Sequence, residues 1–416
     1  MVKTSIFIFM AGDNNLDVSG IQDIREMLQT ELSHDINVIV QFDRRKAMPW
    51  EDPSERTTKR FQVKNHELIT LQDIGETNTG DPSVLRNFLD WGIGNHPADR
   101  NMVIIWNHGG GIKDTDIYKS IGQKVKSSLF VPPKDRTTTT FDRQKNKTID
   151  IAGMEKIDEL LNVPEKWICT DDTSRDFLDN FELKSALSIP AKKLDIVAFD
   201  ACLMNIYEIM YQLKDQTDFI IGSQEIEPPE GWPYKLVLDY LSSDPSVSNR
   251  NLPAKVVELY KESYADKGKQ VTQSAIATIL IEESASNLNS FAKSLLDVLQ
   301  LIKRDLYEIL SSCQRFRERD YMDLYDFATL CKNNITINAI TLSASQLLSS
   351  LDKIIIANSI LGDKVENAHG ISIYFPLERP DAETMEMYSK LDFTLKYNYW
   401  FKLITSFHKP KALKRD

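Results

Sequence analysis

Short β-rich apolar runs alternate with amphipathic helical stretches along the first half of this chain, and that alternation limits the folds open to it. "TSIFIFMA" and "INVIVQFD" flank the helical pattern "IQDIREMLQTEL". "SVLRNFLDWGI" precedes "NMVIIWN", "FELKSALSI" precedes "LDIVAFDA", and "LMNIYEIMYQLK" precedes "DFIIGS". Such alternation builds an α/β fold, a parallel sheet with helices on both faces, whose chemistry gathers at the carboxyl ends of the strands. Asp13, Asp43, His108, Cys202 and Ser223 all fall just past such ends.

Beyond residue 250 the pattern changes. "VTQSAIATILI" reads as another strand, and Leu288, Phe291, Leu295, Val298, Ile302, Leu306 and Ile309 mark one face of a long helix. "DLYDFATLC" and "SASQLLSSLDKIIIA" read as helices and "GISIYFP" as a late strand. The expected organisation is an α/β core over 1–245, then a helical region over 246–416 whose late strand completes or flanks the same sheet.

A hydrophobic fraction of 42% in 416 residues is enough for a large core. The net charge of -11 argues against nucleic acid and anionic membranes as partners. No run approaches the roughly 18 apolar residues of a membrane span. The apolar run in "MVKTSIFIFMAGDNN" is too short for a signal sequence and reads as a first strand. Cys169, Cys202, Cys313 and Cys331 have no CxxC spacing. A reduced cytoplasmic setting is expected, with secretion open if a leader was removed.

One segment departs from this acidic background. Between Lys119 and Lys147 the basic residues Lys119, Lys124, Lys126, Lys134, Arg136, Arg143, Lys145 and Lys147 stand against only Asp135 and Asp142. With "VPP" and "TTTT" it reads as an exposed loop, inserted over about 113–150.

The chemistry-bearing stretches are "VIIWNHGGG" and "LDIVAFDACLMN". A thiol attacks a carbonyl carbon as thiolate, so Cys202 needs a base and an electropositive setting. His108 at a neighbouring strand end supplies the base, and the glycines after it allow backbone N–H groups to approach a developing oxyanion. Cys202 is expected where a strand runs into a helix, whose N-terminus would favour the thiolate.

These stretches resemble the clostripain-like cysteine peptidases, relatives of caspases, gingipains and legumains. "IFIFMAGDNNLD", the approach "DIGETNTGDPSVLRNFLDWGIGNHPADRNMVIIWNHGGG", "DDTSRDFLDNFELKSAL", "FDACLMNIYEIMYQLKDQTDFIIGSQEIEPPEGWPY" and "HGISIYFP" are similar to family segments in the same order. The resemblance implies a caspase-like α/β/α sandwich with a mainly parallel sheet and a helical C-terminal elaboration. It makes His108 the general acid and base and Cys202 the nucleophile, with Gly109 and Cys202 N–H groups as the oxyanion hole. It implies cleavage of proteins or peptides after Arg or Lys, with Asp200 in the specificity pocket, Glu230 as second carboxylate and Trp232 as a wall. Read without the family, Asp200 would cap the following helix. Asp13 is expected to stabilise its turn through backbone hydrogen bonds.

Two departures stand out. Ile112 follows the glycines where family members commonly have Trp, and the basic insertion makes the His108-to-Cys202 separation long. Relatives are often cut between the two after a basic residue, which makes Lys113, with the eight basic residues above, a candidate for self-processing. The alternative is that the insertion is an inhibitory or partner-binding element. The rivals are therefore a latent protease awaiting a regulatory protein, a non-enzymatic caspase-like scaffold, and a thiol-dependent acyltransferase or other amide hydrolase. Thiolate chemistry requires no cofactor. Calcium remains open, because it is used among relatives and Asp171, Asp172 and Asp176 offer oxygens, although an acidic surface turn is the expected reading.

Overall fold

The computed structural model describes residues 2–45, 57–114, 168–189 and 193–409. The basic insertion beyond Asp114 lies outside the described residues, and with it all self-processing candidates except Lys113.

A nine-stranded sheet organises the chain, in the order β10-β8-β7-β6-β5-β1-β2-β3-β4. Its centre is the expected parallel set: β1 (Thr4–Gly12), β2 (Ile36–Arg44), β5 (Arg100–Trp106), β6 (Leu194–Asp200) and β7 (Thr217–Gly222). An antiparallel pair extends each side, β3 (Thr58–Lys64) with β4 (Glu67–Gly75), and β8 (Val271–Ala277) with β10 (Ile355–Leu361). Only β3 and β8 run against the common direction.

Every residue of β1 is buried, because both faces of the central strands are covered. Side chains alternate between faces. Phe7, Phe9 and Ala11 join one core with Val103, Ile105, Val197 and Phe199, while Ile6, Ile8 and Met10 join the other with Val38, Val40, Met102 and Ile104. Helices α1 (Asp17–Met27), α5 (Tyr234–Ser243) and α6 (Asn251–Tyr264) cover the second face. The first face takes α2 (Pro82–Asn95), α3 (Asn180–Leu187), α4 (Tyr207–Gln212) and most of the C-terminal helices. Asp81 caps α2 ahead of Pro82, and Asp179 with Glu182 forms a capping box on α3, so both helices start where their sequences signal.

The second half differs from the expectation in three places. The long apolar stripe is divided between α7 (Ile281–Asp297) and α8 (Leu299–Ser312), with Val298 non-helical at φ -118°, ψ 13°. After α9 (Leu324–Asn334), helix α10 (Asn338–Ile354) stops inside "DKIIIA", and Ile355 starts β10 beside β8. The late strand β11 (Ser372–Tyr374) pairs with β9 (Tyr321–Asp323) in a small separate sheet and touches the main fold through a bridge from Ser372 to Ile206.

Candidate active site

Register fixes where the reactive residues emerge. Trp106 on β5 is level with Asp200 on β6, so His108 and Cys202 each lie two residues beyond the same rung. Their loops abut directly: a side chain on Gly109 would come within 2.1 Å of the Cys202 carbonyl oxygen. Only glycine permits that approach. The preceding residue, Asn107, is buried and ties three segments together. Its amide donates to the Ala11 carbonyl, its oxygen accepts from Thr170 N at 3.0 Å, and its N–H reaches Asp200 O at 3.2 Å.

His108 Nε2 lies 2.9 Å from Asn15 Oδ1. An amide oxygen only accepts, so this network assigns the proton to Nε2 and leaves Nδ1 as the basic nitrogen. No spacing rule singles out Asn15, although it lies in the Asp-Asn-Asn turn that carries the resemblance.

Cys202 is not at a helix N-terminus. Leu203 follows in the left-handed region at φ 61°, and α4 begins only at Tyr207, so no helix end assists the thiolate. The thiol sulfur accepts from Glu227 N at 3.2 Å. Burial, with Glu227 nearby, pushes it up to about 12, and it is a thiol at neutral pH in this conformation. Cys169, Cys313 and Cys331 are buried, and all four cysteines are free.

Beneath Cys202 lies a group of carboxyls. Asp200 Oδ2 accepts from Tyr234 OH at 2.8 Å and from Trp232 N at 3.4 Å. It therefore does not cap a following helix. Burial raises it to about 6, the donors of Tyr234 and Glu227 offsetting part of that. Glu227 is held well above the usual carboxylate range by burial and by Asp200, so the pair shares a proton. Gln273 Nε2 reaches Glu227 Oε1 at 3.3 Å. Behind them Asp23 accepts from Trp106 Nε1 at 2.7 Å and is raised to about 9, by burial first and Asp200 second.

The predicted pocket residues separate. Trp232 is fully buried and its main chain braces Asp200. Glu230 points outward, its carboxylate 3.8 Å from Lys269 at the surface. The carboxyl beside Asp200 is Glu227, three residues earlier in the same loop, and nothing in the spacing of "EIEPPEGWPY" distinguishes the two. The other side of this loop borders a cleft of about 850 Å³ that includes Arg315, Arg317 and Lys269 but neither His108 nor Cys202. Lys113 is paired with Glu318 and Asp320, both at 2.8 Å.

Asp13, Asp43 and Asp171 form a second group. Asp171 is fully buried, so the expected acidic surface turn is not what forms there. Asp13 receives no main-chain hydrogen bond at either carboxylate oxygen, so it does not brace its turn in the expected way.

A helix-clad, largely parallel sheet with a thiol and an imidazole at adjacent strand ends defines a cysteine peptidase of caspase-like build, a hydrolase. The model of the clostripain family, Peptidase_C11, matches residues 8–128 and 155–407, and the chain belongs to that family. The curated clostripain of Hathewaya histolytica is 24% identical over 437 residues, covering 90% of this chain and 74% of its own length. A secreted C11 cysteine protease from Bacteroides thetaiotaomicron, solved with an irreversible peptide inhibitor, superposes with a TM-score of 0.64 at 19% identity, over 96% of this chain and 100% of its own. An inactive zymogen C11 protease from Parabacteroides distasonis gives 0.65 at 18% identity, over 95% of this chain and 99% of its own. No helix among the described residues is long and apolar enough to cross a membrane.

Proposed function

We propose that this peptidase cleaves proteins or peptides after Arg or Lys, with Cys202 as nucleophile and His108 as general acid and base. The observation that carries the specificity is the buried Asp200–Glu227 pair beside the Cys202 loop, two carboxyls whose burial and mutual repulsion favour one proton between them. A guanidinium or ammonium entering there would displace that proton and meet a carboxylate it can pair with in a charge-assisted contact. Trp232 and Tyr234 hold Asp200 in place for it.

The chemistry runs in two halves. The Cys202 proton passes to His108, and the thiolate attacks the scissile carbonyl while the Gly109 and Cys202 N–H groups receive the oxyanion. As the intermediate collapses, His108 returns the proton to the leaving amine and a thioester remains. His108 then removes a proton from water, which attacks the thioester, and the thiol regains its proton as the acid leaves.

The described conformation suits a latent form. The Cys202 sulfur is engaged by the Glu227 peptide, and its raised pKa opposes nucleophilic attack until the 225–230 loop shifts. Processing after a basic residue of the insertion, or a protein partner that moves it, would supply that shift. Lys113 is a poor first cut because its ammonium is held by two carboxylates. The others, Lys119, Lys124, Lys126, Lys134, Arg136, Arg143, Lys145 and Lys147, remain candidates.

The test is hydrolysis of fluorogenic peptides ending in Arg, Lys, Asp or Leu, before and after limited trypsin treatment, with the Cys202→Ala chain alongside. Cleavage confined to Arg and Lys, increased by processing and absent from the variant, is expected. Equal rates on Leu peptides would remove the specificity reading, and a folded, processed chain silent on all four would favour the scaffold.

A further inference from the structure

The cleft behind the 225–230 loop gathers cations that the dyad and its pocket do not use. Its walls come from that loop, from Lys269 and Gln270 ahead of β8, from residues 312–319 at the end of α8 and beyond, and from Lys364 and Asn367. Five cationic side chains line it, Lys269, Arg315, Arg317, Arg319 and Lys364, against the carboxyls of Glu225 and Glu227. A chain of net charge -11 does not produce such a surplus as background. The two carboxyls are engaged elsewhere. Glu227 turns its own towards Asp200. Glu225 accepts from Arg317 N at 3.0 Å and from Ile226 N at 2.8 Å, which shows that a carboxylate fits between the two walls.

Arg315 is the buried member of the set, 9% exposed. Its Nε donates to the Leu310 carbonyl at 3.2 Å, and its Nη1 to the carbonyls of Arg319 and Phe375 at 2.6 and 3.0 Å. Nη2 has no acceptor. A buried guanidinium that meets carbonyl oxygens but no carboxylate is a positive charge short of counter-charge. Burial pushes its pKa down for that reason. Arg319 and Lys364 stand exposed at the mouth, and their hydrogen bonds are made by the main chain. The Arg319 carbonyl accepts from Arg315, Lys364 N donates to Gln270 Oε1 at 3.0 Å, and the Lys364 carbonyl accepts from Gln314 Nε2 at 2.9 Å. The backbone is fixed while both charged heads stay open to a ligand.

We propose that this cleft binds acidic side chains of a peptide, and that it is a second recognition site for substrates carrying Asp or Glu near the residue at which they are cut. Its volume of about 850 Å³ is large enough for several side chains. The positive charge is confined to a concavity on an acidic protein, so a long phosphate backbone would meet negative surface beyond it. A peptide segment fits within it, and peptides are what a member of this family acts on. Delivery to the dyad follows from a shared wall. Glu227 lines the cleft, and its N–H lies 3.2 Å from the Cys202 sulfur. The Glu225 carbonyl accepts from Leu203 N at 3.2 Å. A peptide held in the cleft thus lies one loop's thickness from the thiol. Binding itself rests on no assumption about the scissile bond; the delivery clause rests on cleavage after Arg or Lys by Cys202.

The binding test uses the full chain carrying Cys202→Ala and a labelled peptide of Asp, Glu and Gly, read by fluorescence anisotropy beside its Asn/Gln counterpart. Saturable binding of the acidic peptide with Kd below about 1 mM is expected, weakening as salt is added. Arg319→Glu and Lys364→Glu, both at exposed positions, should each weaken it at least about 5-fold while melting with the parent. No saturable binding up to about 1 mM, equal binding of the Asn/Gln peptide, or affinity unchanged in both variants would overturn the proposal. So would inorganic phosphate that displaces the peptide at equal concentration, since the cleft would then be a small-anion site. The kinetic test uses the processed chain with wild-type Cys202 and quenched peptides holding one Arg beside an acidic or an Asn/Gln run. The acidic run should lower KM about 5-fold with kcat within about 2-fold, and Arg319→Glu should remove that gain yet leave hydrolysis of a short Arg peptide without acidic residues unchanged. Equal KM values with binding intact overturn the delivery clause alone. A processed chain that binds the acidic peptide but cleaves no Arg or Lys peptide overturns the cleavage reading, and the delivery clause with it, while the binding site stands.

Discussion

Two groups of buried carboxyls stand at the same edge of the sheet, and their surroundings differ. Around Asp200 the protein supplies donors: the Tyr234 hydroxyl, the Trp232 N–H, and a proton shared with Glu227. Around Asp13 it supplies no main-chain donor, and the Thr173 hydroxyl offsets only part of the cost of burial. The first group is held ready yet neutralised reversibly, which suits an organic cation that comes and goes with substrate. The second brings carboxyls from three segments together with too few donors, and burial raises Asp13 and Asp43 so that they favour the protonated form. Burial and repulsion are common to both; the supply of donors separates them.

The largest effect expected is at the dyad. Cys202→Ala and His108→Ala should each lower peptide hydrolysis by about 1,000-fold or more with the melting temperature nearly unchanged, measured by single-turnover assay and calorimetry; residual activity of more than a few per cent would sink the assignment. Next comes the contrast between the two groups. Asp200→Asn should lower kcat/KM for Arg and Lys peptides by about 100-fold relative to Leu peptides, since a buried cation loses its partner. Asp13→Asn should leave that ratio within about 3-fold, the kinetic size of less than 1 kcal/mol. If Asp13→Asn changed the ratio as much as Asp200→Asn, the two groups would be one functional site.

The pH dependence is next in size. Asp13, Asp43 and Asp23 are raised to about 7, 8 and 9 in the folded chain, so the native state binds more protons than the unfolded one above the ordinary carboxylate range near 4. Their contribution to stability is full below that range and declines as pH rises through about 7 to 9, by at most about 1.4 kcal/mol per pH unit for each extra proton held. Melting between pH 5 and 9 should show the fall. A melting temperature that stays level across that range would contradict the raised carboxyls. The smallest effect belongs to Glu230→Gln. An exposed carboxylate 3.8 Å from Lys269 is worth less than about 1 kcal/mol, so Arg and Lys selectivity should change less than about 2-fold.

Much of this was legible in the sequence because the central strands are buried on both faces and read as unbroken apolar runs. Their ends gave His108, Cys202, Asp13 and Asp43 their places. The β3–β4 hairpin was not legible, since no residue of β4 is fully buried and the strand mixes polar with apolar residues. Apolar periodicity passes smoothly through Val298 because both helices pack on the same core, so it cannot reveal the break. The helix end expected at Cys202 failed for a local reason, the left-handed turn at Leu203, which no residue preference announces. Sequence proximity groups Asp171 with Asp172 and Asp176, whereas its partners in space lie more than a hundred residues away, just past β1 and on β2. The choice of Glu227 over Glu230 depends on how one loop is folded, and composition is blind to it.

The pairing of β5 with β6 has a consequence for what a nicked chain would be. A cut anywhere between 115 and 167 separates the polypeptide carrying β1 to β5 from the one carrying β6 to β8 and β10. Yet five consecutive residue pairs, Met102 with Ile196 through Trp106 with Asp200, stitch those pieces across the middle of one sheet. The product would be a non-covalent heterodimer in which each fragment brings one half of the dyad, running as two bands in denaturant and as one particle in buffer.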